Sequence, residues 1–128
     1  MRQNRVMTVV GWLLTVGVAG MLGFSASMKF RNPPEMAEFF VGKFGYPEAT
    51  RLPIAVAEVA SAVLFLIPQT AVLGAVLLTG YLGGAIATHV RVSDNFIPAV
   101  GLGVVVWLAL YLRDPRVRAL LPWRSTAS

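Results

Sequence analysis

Cysteine is absent from the 128-residue chain, which excludes disulfides, thiolate metal sites, iron–sulfur clusters, thiol nucleophiles and dithiol electron relays. Redox work would need a bound cofactor or a partner. Charge is scarce as well: 13% of residues are charged, against roughly 25% in a soluble domain. With 56% hydrophobic residues and a mean hydropathy of +0.69, the chain cannot wet its own surface, so lipid is expected to cover much of it. The single histidine gives no basis for a dedicated metal site and excludes a bis-histidine haem within one chain. P-loop, GxSxG and HExxH signatures are missing, and no GxGxxG opens a helix after a strand.

The net charge of +5 does not point to nucleic acid, because the 11 Lys and Arg residues are scattered over both termini and two loops rather than gathered in a stripe. They read as membrane-flanking charges. Val6 through Met28 is an uncharged run flanked by Arg2 and Arg5 on one side and by Lys29 and Arg31 on the other. At about 1.5 Å per residue it crosses a roughly 30 Å hydrocarbon core. A cleaved signal peptide is the rival reading, with Ser25-Ala26-Ser27 as the cleavage site, but signal cores span only about 7 to 15 residues. The first helix is expected to be retained.

Further apolar segments predict helices over about 48–67, 71–89 and 95–112, separated by Pro68-Gln69-Thr70 and by Arg91-Val92-Ser93-Asp94. Between the first two helices, Pro33 and Pro34 start a short helix with Met36, Phe39, Phe40 and Phe44 at near-helical spacing, expected to lie at the headgroups. The fold class is therefore an all-α integral membrane four-helix bundle with a short interfacial helix, forming one domain over 1–128. Four crossings put both termini on one side. Arg2, Arg5, Arg113, Arg116, Arg118 and Arg124 lie there, against Lys29, Arg31, Lys43, Arg51 and Arg91 opposite, so both termini are expected to be cytoplasmic. Small residues at Ala19, Gly23 and Ser27 and at Gly80, Gly84 and Thr88 suggest that the first and third helices touch, with Gly84 at the contact.

Glu58 stands out, because a carboxylate about ten residues into an apolar helix costs several kcal/mol unless it is paired, protonated or hydrated. It is either an interhelical clamp or part of a site for protons or a polar ligand. His89 ends the third helix on the side where the first ends and the second begins, so Lys29, Arg31, Glu58, His89 and Arg91 converge on one face. Glu58 and His89 are the candidate catalytic residues, expected to form one coupled polar site with Lys29 and Arg91 nearer its rim; the alternatives to a direct pair are Glu58 with Lys29 and Glu58 with a hydroxyl. Tyr81 and Thr88 join Lys29, Glu58, His89 and Arg91 as candidate ligand-binding residues. For Lys29, Arg31 and Arg91 the competing role is interfacial snorkelling; for Ser25, Ser27 and Thr79 it is bonding to their own helix.

The segments Gly23-Phe24-Ser25-Ala26-Ser27-Met28-Lys29-Phe30, Ala57-Glu58-Val59-Ala60 and Gly80-Tyr81-Leu82-Gly83-Gly84-Ala85-Ile86-Ala87-Thr88-His89-Val90-Arg91 resemble the DoxX-like family of small four-helix membrane proteins. The resemblance implies a polar cluster near one face of a bacterial-type inner membrane. It also implies relatives linked to thiosulfate or sulfide oxidation and to quinone. The expected function is an accessory or membrane subunit of a redox system handling a quinone-like lipophilic molecule, with an oxidoreductase subunit or a second copy as partner. No cofactor follows from the residues alone. The alternatives are a small proton-coupled transporter using Glu58 and a membrane enzyme with Glu58 and His89 as acid and base.

Overall fold

The computed structural model describes residues 4–124, so the flanking charge expected at Arg2 lies outside the described residues. The first helix, α1, runs Arg5–Arg31. The Asn4 side chain caps it, accepting from the Val6 amide at 2.9 Å, and Asn32 ends it in the left-handed conformation that Asn tolerates. Pro34 then opens the short helix α2, Pro34–Ala37, which widens into a π-helical turn over Glu38–Lys43. Gly45 turns the chain with a positive φ of 77°.

A 3₁₀ turn at Glu48–Thr50 leads into α3, Arg51–Leu66. Ile67 is extended, as a residue before proline must be, and Pro68 stops the helix. After another 3₁₀ turn at Pro68–Thr70 come α4, Ala71–Arg91, and α5, Ile97–Arg113. The one-turn α6, Pro115–Arg118, is capped by Asp114, which accepts from the Arg116 amide at 3.0 Å. The expected helices are all present. The two-proline start between the first pair folds over one end of the bundle, presenting Phe40 as a buried residue.

α1 packs on α3 and α5, and α4 packs on the same two helices. α1 and α4 are thus diagonal partners, and the expected contact between their small-residue stripes is not made. A Cβ added to Gly23, Gly80 or Gly84 would meet nothing within 4 Å. Close approach happens elsewhere. A Cβ on Gly11 of α1 would lie 2.8 Å from the Ala109 carbonyl oxygen of α5, and one on Gly74 of α4 would lie 2.8 Å from the Leu64 carbonyl carbon of α3. The core between these contacts holds Val18, Leu22, Phe65, Leu78, Val106 and Leu110.

Arg113 also departs from the sequence reading, which placed it among the flanking charges. It is buried, donates to Thr15 Oγ1 at 2.6 Å and to the Phe65 carbonyl, and stacks on the Trp12 and Phe65 rings. α3 ends without a glycine cap, so its last carbonyls need other donors; Arg113 serves Phe65, and the Thr70 hydroxyl serves Leu64 at 2.8 Å. α1 and the stretches Glu48–Leu66 and Pro68–Arg91 are long and apolar enough to cross a membrane; α5 is shorter. Leu13, Phe24 and Val104 point outward at more than 60% exposure, as lipid-facing residues do. The chain is an all-α membrane helical bundle.

The tight contact gives an expected outcome for glycine replacement. Gly74→Ala, forcing backbone apart, should destabilise the bundle by about 1–3 kcal/mol, while Gly84→Ala should leave it unchanged. Thermal melting of the two variants in detergent checks this; equal melting temperatures would show that the α3–α4 contact is slack.

Candidate functional site

Glu58 lies on the buried face of α3 with 1% of its surface exposed. Its cation is Lys29, near the end of α1, whose Nζ is 3.1 Å from Glu58 Oε1. The same ammonium donates to Ser25 Oγ at 2.9 Å, one turn back along α1. From α4, Tyr81 interacts with both Glu58 and Ser25. Lysine, serine, tyrosine and glutamate therefore join three helices through one polar cluster. Arg51 anchors its outer edge, donating to the Lys29 carbonyl and pairing with Glu48 at 2.7 Å.

This cluster forms one wall of a cavity of about 710 Å³, within the roughly 300–1,000 Å³ typical of small-molecule sites. The other walls are largely apolar, with Met21, Met28, Met36, Phe39, Phe40 and Leu102 among them, and Glu35, Thr88 and His89 are their polar members. Gly80 and Gly84 line it too, which accounts for the space around them: the stripe expected to pack a helix instead leaves room in the cavity.

The segment after α2 forms the roof. Phe40 stacks on Tyr46 at 5.0 Å between ring centres, and the Tyr46 hydroxyl bonds the Thr88 hydroxyl. Since Thr88 already donates to the Gly84 carbonyl at 2.9 Å, Tyr46 is the donor in that bond. Arg91 donates to the Phe44 carbonyl from outside and does not line the cavity. Lys43 pairs with Asp94 at 3.3 Å. Bonding to the Asn95 amide, and then the Lys43 ammonium, hold the Asp94 carboxyl below the usual aspartate range.

The direct Glu58–His89 coupling expected from the sequence is not formed. His89 Nδ1 faces its own Ala85 carbonyl at 2.7 Å, so it carries the ring proton and donates. Nε2 points to Asp94, 3.8 Å away, and the ring meets Phe44 edge-on. Glu58 and His89 line the same cavity but belong to different networks, one along the bundle wall and one beneath the roof. The axial offset between a residue halfway along α3 and one near the end of α4 is the reason, and the long Lys29 side chain bridges what imidazole does not.

Several roles went unread in the sequence. Ser25 serves Lys29, whereas Ser27 and Thr79 do bond their own helices, to Phe24 and Ala75. Tyr46 carried no signal beyond its place between Gly45 and Pro47, a turn where a roof could be tied down.

The ion pair yields a clear expectation. Lys29→Met alone strands a buried carboxylate and should cost about 3–5 kcal/mol, whereas Lys29→Met combined with Glu58→Gln should recover much of it. A double-mutant cycle with Glu58→Gln and His89→Gln should be additive within about 0.5 kcal/mol. Detergent melts of these five variants would expose a shared Glu58–His89 network as a non-additive term.

No curated protein and no solved structure matches the chain. The model of the DoxX-like family does, over residues 13–112, a span that contains α2, α3, α4, the roof and every member of the lysine–glutamate–tyrosine cluster. A match over most of the chain places the cluster within the shared part of the sequence: the protein belongs to the DoxX-like family.

Proposed function

We propose that the protein is a membrane subunit of a redox system that holds a quinone-like lipophilic molecule in the roofed cavity. The observation that carries this reading is an apolar cavity with one polar wall, where Lys29, Tyr81 and Glu58 meet. A quinone has that division: a flat apolar ring and two carbonyl oxygens that accept hydrogen bonds.

Lys29 has three N–H donors and spends two on Glu58 and Ser25, leaving one for a carbonyl oxygen. The buried Glu58 carboxylate holds the ammonium in place, so the donor is positioned before a ligand arrives. Tyr81 adds a second hydroxyl on the same wall. Met21, Met28, Phe39 and Phe40 supply the polarizable contact surface that a conjugated ring favours. When bound, a quinone supplies two-electron chemistry; the chain contains no cysteine to relay those electrons, so they come from a partner oxidoreductase subunit. The Glu58–His89 acid–base enzyme has less support, since the two groups face different partners.

The chain is proposed to cross the membrane four times with both termini cytoplasmic. Arg5, Arg116, Arg118 and Arg124 gather at the terminal end, and basic residues are retained on that side. A reporter fused after Arg124 should be active only in the cytoplasm; periplasmic activity would reverse the orientation.

Binding is tested with decylubiquinone added to the protein in nanodiscs, read by tryptophan quenching. Saturable binding is expected, with Tyr81→Phe weakening it about three- to tenfold through one lost hydrogen bond. Lack of saturation for the parent protein would remove the quinone reading.

A further inference from the structure

The cavity is closed differently on its two sides. Toward the loops, three ties hold the roof: Tyr46 to Thr88, Arg91 to the Phe44 carbonyl, and Lys43 to Asp94. Toward the side of the bundle, between α3 and α4, the Glu58–Tyr81 interaction joins the two helices. α3 and α4 are in backbone contact where Gly74 meets Leu64 and Phe65, about two to three turns before Gly80 and Gly84. Ala57 on α3 and Gly80 and Gly84 on α4 line the cavity and are exposed, and a Cβ on either glycine would meet no atom within 4 Å. The seam between the two helices is tight at Phe65–Gly74 and is lined by the smallest side chains at Ala57, Gly80 and Gly84.

The depth of the opening decides what it faces. Gly80 is the tenth residue of the 21 in α4, so it lies near the middle of that helix. The outward residues around the gap are Val56 at 56%, Val76 at 54% and Leu77 at 43% exposure, all uncharged and apolar. An opening with such surroundings, halfway along an apolar helix, faces hydrocarbon rather than headgroups or water.

We infer that the α3–α4 gap is a lateral passage through which the ligand arrives from within the bilayer, while the roof covers the loop end of the cavity. The inference rests on the quinone reading of the cavity and adds the class of molecule. The ligand is one dissolved in the membrane, with a polar ring that goes in first and an apolar tail that stays in the gap. The order of groups along the passage fits such a molecule: Ala57 precedes Glu58 by one residue on α3, and Gly84 stands one turn from Tyr81 on α4, so the polar wall begins directly behind the opening. Glycine at 84 contributes width, because any side chain there projects into the space that the ring must cross.

Two measurements test the passage. In nanodiscs, Gly84→Leu should slow association of decylubiquinone on the order of tenfold, without lowering the melting temperature. A short bis-maleimide staple between Lys43→Cys and Asp94→Cys, specific because the chain has no other cysteine, should leave the association rate unchanged. Unchanged association in Gly84→Leu, or slow association in the stapled roof, would overturn the lateral route while leaving the binding site intact. The second measurement needs no ligand. A spin label on Gly84→Cys in vesicles should collide with dissolved oxygen far more than with a water-soluble nickel chelate. The reverse would show that the gap faces water and would overturn the proposal even if no quinone bound the parent protein.

Discussion

A carboxylate that is 1% exposed among apolar helices cannot persist as an anion without a cation at contact distance, and Lys29 brings one from the end of a different helix. Much of the upper bundle follows from that requirement. α1 must extend far enough to carry Lys29 past the level of Glu58, which it does by continuing to Arg31. The ammonium needs further acceptors, and Ser25 one turn earlier provides one. Arg51 then fastens the Lys29 backbone, so the start of α3 is tied to the end of α1 at two levels. A polar wall made in this way cannot be filled by apolar side chains, and a cavity remains beside it.

The other end of the bundle solves a related problem with a different residue. Arg113 is a buried cation too, and the Thr15 hydroxyl, the Phe65 carbonyl and the Trp12 and Phe65 ring faces help to hold it. Its guanidinium joins α1, α3 and α5 at the point where α3 has run out of internal donors for its carbonyls. Here the helices are drawn together, and Gly74 and Gly11 admit the close approach. The bundle is tight where a planar fork of donors reaches two neighbouring helices and open where a single flexible ammonium bridges a longer distance.

The helices themselves were legible because uncharged runs, prolines and basic flanks are one-dimensional signals. Proline at 68 marked the end of α3 within a residue, and the double proline at 33 and 34 marked the start of α2. Glu58 was legible as an exception to its surroundings. Its partner was not, since Lys29 is 29 positions away and only the packing order of helices decides whether Lys29 or His89 reaches it. The same limit applied to Gly80 and Gly84: small residues at helical spacing signal that something comes close or that space is kept, and nothing in the sequence separates the two. Arg113 looked like any basic residue at a helix end, although Thr15 and the Phe65 carbonyl, far away in the chain, make it part of the core.

The unequal helices carry a consequence for the surrounding lipid. α1 has 27 residues and α4 has 21, whereas α5 has 17, a length of about 26 Å that falls short of a hydrocarbon core of roughly 30 Å. On the four-crossing topology proposed above, a crossing of that length would draw the two leaflets toward each other on its own side of the molecule, and α1 would accommodate by tilting. The bilayer around the protein is then a collar of uneven thickness, thinnest along α5. On that topology the lipid along that flank would carry the largest mismatch in thickness.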